Sequence, residues 1–337
     1  METRRARRPY SAVVASHAVR PSETLPTLDA SLAWSLVGEG VEHVEAIGDG
    51  TRSRVYRVHL AEGGTRIVRL SPKAAGRVAR EAWVRARMAG CAAVPVVHAS
   101  PAPRTSLDVS ADVVLMNDLP GTSMARALVG ASETLAAGLW CAFGEGVAAF
   151  HAVPVEGFGL LDAQGRGASP SWRAVMEPVA AEALRVARAS PLIDLCDRAE
   201  AALAEAAPAL DRVTAPRLIH GDAQPGNVQV HRERVTAFFD FEFAMGADPL
   251  YELAFVGRFF EPAPWAAPDP RARLQAMEAF TRGYSARFAP LGDDPERCRY
   301  YRVAHALRLG ELFHDGRGDA DAVAAVRAHL ERALSRN

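Results

Sequence analysis

Lysine is almost missing from this chain: Lys73 stands alone among 39 lysines and arginines in 337 residues. The bias reads as one of coding. With 40 aspartates and glutamates against them the formal net charge is -1, so no excess of either sign gives a global reason to bind nucleic acid or an anionic membrane. Cysteine is scarce as well. Cys91, Cys141, Cys196 and Cys298 lie far apart and form no CxxC pair, which speaks against a zinc site or a disulfide framework and makes the reducing cytoplasm the expected compartment. No apolar run is long enough to span a bilayer. The basic start, residues 1–24, contains "SAVVASHAV", which is short for a secretory core and is interrupted by His17, so it reads as a flexible arm.

What is present is ordinary for a globular protein, with 49% hydrophobic and 23% charged residues. The length exceeds the point at which one hydrophobic core usually stops growing, so two lobes or two domains are expected. "SETLPTLDASLAWSLVG" opens with cap-type residues and then shows helical spacing. "VEHVEAI", "SRVYRVHL" and "TRIVRLS" are β-branched runs separated by "GDGT" and "AEGG", the pattern of consecutive antiparallel strands. A helix follows in "GRVAREAWVRARMAG", then a strand in "DVVLMNDLPG". From "SETLAAGLWCAFGEGVAAFHAV" onward the chain is mostly Ala-rich and helical, interrupted at "LIHGDAQPGNVQV" and "RVTAFFDFE". The expected class is α+β: a small sheet with one helix over 25–118, then a larger, mainly helical part over 119–337.

"LIHGDAQPGN" raises the functional question. Pro225, Gly226 and Asn227 make a turn signal, but a turn needs neither His220 nor Asp222. "VQVHRERVTAFFDFE" reads as two strands joined near Arg232 and Glu233. Such a hairpin returns its second strand to the level of the first, bringing Asp222, Asn227 and Asp240 to one edge. An oxygen cluster of that kind suits Mg²⁺, which takes one or two carboxylates together with substrate phosphates. If Asn227 and Asp240 hold the metal, Asp222 is free to orient or deprotonate a hydroxyl, the division of labour in phosphoryl transfer. Taken one at a time these are turn and cap residues; only the set carries the signal.

"HGDAQPGN" followed by "FFDFE" resembles the aminoglycoside phosphotransferase family and its choline kinase-like relatives. The resemblance implies a bilobal protein-kinase-like fold. It implies Asp222 as catalytic aspartate, His220 as support for the loop, Asn227 and Asp240 as magnesium ligands, and ATP or GTP as donor. For the first half it implies a turn over the phosphates, a basic residue on the third strand and an acidic partner on the next helix. Gly48, Gly50 and Ser53 in "IGDGTRSRVYRV" supply the turn, although two such glycines alone are more often a plain hairpin. Arg69 shares a strand face with Ile67 and stands where many members carry Lys or Arg. Its planar fork changes the contact expected with phosphate. Glu81 is the expected partner of Arg69, against the simpler role of an i,i+4 pair with Arg85. In "VVLMNDLPG", Met116 is expected behind the base, and the backbone of Asn117, Asp118 and Leu119 at its edge. His151 reads as structural, and Asp248 before Pro249 as a helix N-cap. Glu252 stands where members often have Asp.

The acceptor is less legible. The last helices and the region 160–210 are expected to form its pocket, and there acids and arginines roughly balance, whereas a polycationic antibiotic calls for carboxylates. Phe259, Phe260 and Trp265 fit a less charged acceptor or simply the core. The spacing of "GFGLLDAQGRGASPSW" after the histidine resembles members that phosphorylate hygromycin-like antibiotics. The expected partner is therefore a hydroxylated small molecule, with no nucleic acid or membrane, for a monomer or homodimer. Two alternatives stand beside an antibiotic kinase. One is a kinase of a sugar or amino alcohol. The other is a non-catalytic nucleotide-binding protein, motivated by Arg69 and by Glu242 at the place of the glycine in the protein-kinase metal motif. A metal-dependent hydrolase lacks a supporting His-rich or second carboxylate-rich motif.

Overall fold

A computed structural model of the chain describes residues 25–38, 40–49, 53–89, 111–263, 266–267, 269–288, 294–313 and 320–335. The arm 1–24, Gly50 and Trp265 lie outside the described residues. Helix α1 (Ala30–Val37) starts at Asp29, whose carboxylate accepts the Leu32 N–H at 2.7 Å, and stops at Gly38 with φ 73°. Strands β1 (Val41–Asp49), β2 (Arg54–Leu60) and β3 (Thr65–Pro72) form the antiparallel meander. Helix α2 (Arg77–Met88) follows, and β4 (Ala111–Asn117) closes a sheet of order β1-β2-β3-β4. Alternation along β3 sends Val68 and Leu70 into a small apolar cluster with Tyr56, Val58 and Leu115. Ile67 and Arg69 face the opposite side, toward a cleft.

Beyond β4 the chain makes β5 (Thr122–Ser123), the short α3 (Met124–Ala127) and the long α4 (Glu133–His151). Strands β6 (Phe158–Leu161) and β7 (Gly167–Ser169) precede α5 (Trp172–Arg188), α6 (Cys196–Ala206) and β8 (Arg217–Ile219). Strands β9 (Val228–His231) and β10 (Arg234–Phe238) are the hairpin read from the sequence. Its turn residues Arg232 and Glu233 both have positive φ, 47° and 62°, the geometry that matches strand twist in a two-residue turn. β11 (Met245–Ala247), α7 (Pro249–Gly257), α8 (Pro270–Ser285), α9 (Pro295–Arg308) and α10 (Ala320–Leu334) complete the order.

The second half contains more strand than its Ala-rich sequence leads one to expect. β5 adds to the hairpin in a sheet of order β10-β9-β5, and β7-β6-β11-β8 make another. These strands are two to four residues long, too short for a two-residue period to register. The second apolar cluster is large and centres on α4, α8 and the β9–β10 hairpin. It also takes in Val84 and Met88 of α2.

Helices α4 and α8 approach closely at two glycines. A Cβ on Gly144 would lie 2.2 Å from the Phe280 carbonyl oxygen, and one on Gly283 2.0 Å from that of Cys141. Backbone cannot yield as a flexible side chain does, so Gly283→Ala is expected to destabilise the protein by about 1–3 kcal/mol despite alanine's better helix propensity. Calorimetric melting checks this; a raised melting temperature would show that the helices separate freely.

Candidate active site

A cleft of about 690 Å³ opens between the N-terminal sheet and the β9–β10 hairpin. From the sheet side it is lined by Ile47, Val55, Ile67 and Arg69, and by Met116, Asn117, Asp118 and Leu119 where the chain leaves β4. From the other side come Asn227, Phe239 and Asp240. Apolar walls with a few convergent charges are usual for a small-molecule site.

Arg69 sits at the back, 9% exposed. One guanidinium nitrogen donates to Glu81 of α2, and the other donates to Asp240 Oδ1 at 3.0 Å. Glu81, 1% exposed, also accepts from Arg85 at 3.2 Å. Both partners expected for Glu81 are thus present at once. Burial alone would lower the Arg69 guanidinium, but Glu81 and Asp240 outweigh it and raise it.

The loop after β8 is held by its own polar groups. The Asp222 N–H donates to His220 Nδ1 at 3.3 Å, so that nitrogen carries a lone pair. The proton is then on Nε2, which donates to the Phe239 carbonyl at 2.8 Å. Neutral His220 therefore ties the loop to the residue before Asp240, a supporting position. Asp222 Oδ2 accepts from Asn227 Nδ2 and from Gln224 Nε2, both at 2.8 Å. Oδ1 has no hydrogen-bond partner among the described residues. The Phe239 N–H donates to the Asn227 carbonyl at 2.9 Å, joining the two ends of the hairpin. Asp240 adopts φ 65° and ψ 62°, a left-handed conformation that a non-glycine residue adopts at a cost of about 1–3 kcal/mol unless its surroundings enforce it. Burial, with a smaller contribution from Asp240, pushes the Asp222 carboxyl above the usual carboxylate range against the opposing charge of Arg258.

Asp222, Asn227 and Asp240 are thus brought to one edge, with Asn227 and Asp240 on the cleft wall. Among the described residues no group of three or more His, Cys, Asp or Glu could hold a metal. One carboxylate and one amide oxygen nonetheless fit a hard cation that completes its shell with phosphate and water. Gly48 lies in β1 opposite Val55, beside an irregularity in the register. The Ser53 hydroxyl is 2.7 Å from that of Ser71 on β3, and Ser53 is not part of the cleft lining. The Asp118 carboxylate is engaged by Arg57 at 2.7 Å and Thr65 at 2.9 Å. Phe259 is buried, and Phe260 packs edge-on against Trp140, so both belong to the core.

Glu252 is the residue the sequence did not single out for a role in the site. It is 2% exposed on α7 and accepts the His220 and Gly221 N–H groups at 3.1 and 2.6 Å, with His151 Nε2 3.0 Å away. Burial would raise its carboxyl, but the hydrogen bond and charge of His151 hold it below its ordinary value. An acid inside the apolar run "PLYELAF" was the available signal. Gln229 is a second such residue, donating from β9 to the Leu119 carbonyl at 3.2 Å. Asp248 is the expected N-cap, accepting the Leu250 N–H at 3.1 Å. No helix among the described residues is long and apolar enough to cross a membrane.

Residues 43–301 match the model of the phosphotransferase enzyme family. A hygromycin-B 4-O-kinase of Escherichia coli is 29% identical over 224 residues, covering 64% of this chain and 57% of that relative. The aligned region thus spans little more than half of the curated relative. Among solved structures, a thermostable mutant of aminoglycoside phosphotransferase APH(4)-Ia, in a ternary complex with AMP-PNP and hygromycin B, superposes with a TM-score of 0.69. It is 22% identical and covers 92% of this chain and 99% of that one. Macrolide 2'-phosphotransferase MphH from Brachybacterium faecium gives 0.52 at 22% identity, covering 90% and 98%. At these identities the solved structures establish the shared kinase-like fold.

Proposed function

We propose that this chain, which belongs to the phosphotransferase enzyme family, transfers the γ-phosphate of ATP or GTP to a hydroxyl of a hygromycin-type antibiotic. The observation that carries the proposal is the convergence of Asp222, Asn227 and Asp240 at one end of the β9–β10 hairpin, with Asn227 and Asp240 facing a cleft backed by Arg69 and Glu81. Retention of this whole set argues against a non-catalytic protein. The base lies against Met116 and the backbone of Asn117 to Leu119, and Arg69, fixed by Glu81, faces the phosphates. Asn227 and Asp240 would hold Mg²⁺, which would offset the negative charge of the phosphoryl group in transfer. Asp222 keeps Oδ2 on its two amide donors and offers Oδ1 to the acceptor hydroxyl. A carboxyl raised by burial is a better proton acceptor near neutral pH. His220 and Glu252 keep the loop in place. The supply of nucleotide and Mg²⁺ points to the cytoplasm.

The hygromycin-B kinase supports the acceptor class. A second reading, a less cationic metabolite as acceptor, is favoured by Arg258 and Arg308, which both act electrostatically on Asp222. Incubation with ATP, MgCl₂ and hygromycin B, followed by mass spectrometry, tests the proposal. The expected product is heavier by one phosphoryl group. Turnover only of sugars or amino alcohols would replace the acceptor, and none with any hydroxylated compound would refute transfer. Chelating Mg²⁺ with EDTA is expected to reduce activity to background and excess MgCl₂ to restore it; transfer unaffected by EDTA would exclude the metal role.

A further inference from the structure

Helix α2 lies between β3 and β4 of the N-terminal sheet in sequence, yet it is fastened to the other half of the molecule. Val84 and Met88 are buried in the larger core. The indole of Trp83 lies on Gly165, where an added Cβ would come within 2.0 Å of the ring. Arg80, 8% exposed, donates from Nε to the Leu161 carbonyl at 2.8 Å and from Nη1 to the Glu242 carbonyl at 2.6 Å.

The second of these bonds closes a circuit. Asp240 is held by Arg69, Arg69 by Glu81, and Glu81 is the neighbour of Arg80 in the helix. Arg80 in turn holds Glu242, two residues beyond Asp240. The left-handed Asp240 is thereby gripped through its side chain on one side and through the backbone that follows it on the other. A fork with fixed donor directions suits a grip on two carbonyls.

We infer that Arg80 is a positioning residue for the metal site, fixing the Asp240 carboxylate through the Glu242 carbonyl, an inference that rests on the assignment of Asp240 to magnesium. It touches neither nucleotide nor acceptor. Its loss weakens metal-dependent nucleotide binding and leaves metal-independent binding alone.

The test is calorimetric titration of the full chain with a non-hydrolysable ATP analogue across a MgCl₂ series and in EDTA. Wild type, Arg80→Met, Arg80→Lys, Arg77→Met and Asp240→Asn are compared. For Arg80→Met the Mg²⁺ concentration at half-maximal binding is expected to rise about 10- to 100-fold, as for partners that orient metal ligands, with affinity in EDTA unchanged. Arg80→Lys, which regains one donor, falls between, and remains informative if Arg80→Met does not fold. Arg77→Met, which loses only an ion pair to the Glu242 side chain, keeps the wild-type Mg²⁺ dependence. A wild-type Mg²⁺ dependence in folded Arg80→Met or Arg80→Lys overturns the inference. So does an equal loss of binding with and without metal, the mark of a merely structural clamp. Wild-type binding indifferent to Mg²⁺ and to Asp240→Asn overturns the metal assignment itself, and the inference with it.

Discussion

Asp222→Asn is expected to lower kcat by about 10²–10⁴-fold while leaving nucleotide affinity near that of wild type. The two amide donors on Oδ2 decide the orientation of the new side chain. Asn227 Nδ2 and Gln224 Nε2 each lie 2.8 Å from that oxygen, so the asparagine oxygen must take its place. The asparagine NH₂ is then left at the position of Oδ1. In the proposed role, a group that accepts a hydrogen bond from the acceptor hydroxyl becomes one that donates, and no proton can be taken. The proposed nucleotide pocket is the cleft, whose lining does not include Asp222, so KM for ATP should change little. Steady-state kinetics with calorimetric measurement of nucleotide binding separate the two effects. Near wild-type kcat would remove Asp222 from the chemistry, whereas equal loss of binding and turnover would make it a structural residue.

The second large effect is expected at a residue outside the cleft lining. Glu252→Ala removes the acceptor shared by His151 and the His220 and Gly221 N–H groups. Two buried donors and one partly buried donor are then left without their partner, and breaking a buried charged network in this way costs about 3–5 kcal/mol. The loop carrying Asp222 loses its anchor at the same time, so activity should fall even in the fraction that remains folded. Urea denaturation checks the first expectation. A loss under about 1 kcal/mol, the range of an exposed ion pair, would mean that water or another acceptor replaces the carboxylate.

Glu252 also marks where sequence reasoning stops. His220, Asp222 and Asn227 are close in sequence, and Asp240 follows across a hairpin whose strands and turn can be read locally. Arg69 is placed by alternation along β3, and Glu81 by being the acid on the next helix. The contacts of Glu252 join residues 32 and 101 positions apart, and no periodicity encodes them. Arg80 bonds to main-chain carbonyls, which every residue carries, so its partners leave no trace in composition. Ser53 has a partner of the same hidden kind. The sequence places its backbone N–H in the turn over the phosphates and assigns its hydroxyl nothing, whereas that hydroxyl meets Ser71 across the sheet at 2.7 Å. The β6–β7 strands were hidden by their length, and Gly159 in β6 has φ 97°, unlike a regular strand residue. The small antiparallel sheet, its helix and the helical second half were legible because their patterns run over many residues.

The most direct measurement is a crystal structure with Mn²⁺ and a non-hydrolysable ATP analogue, the ion located by its anomalous scattering. The expected peak lies between the Asn227 and Asp240 side-chain oxygens and the nucleotide phosphates, with Asp222 outside the coordination shell and its Oδ1 facing the open side of the cleft. A metal bound by Asp222, or one away from the end of the β9–β10 hairpin, would contradict the account.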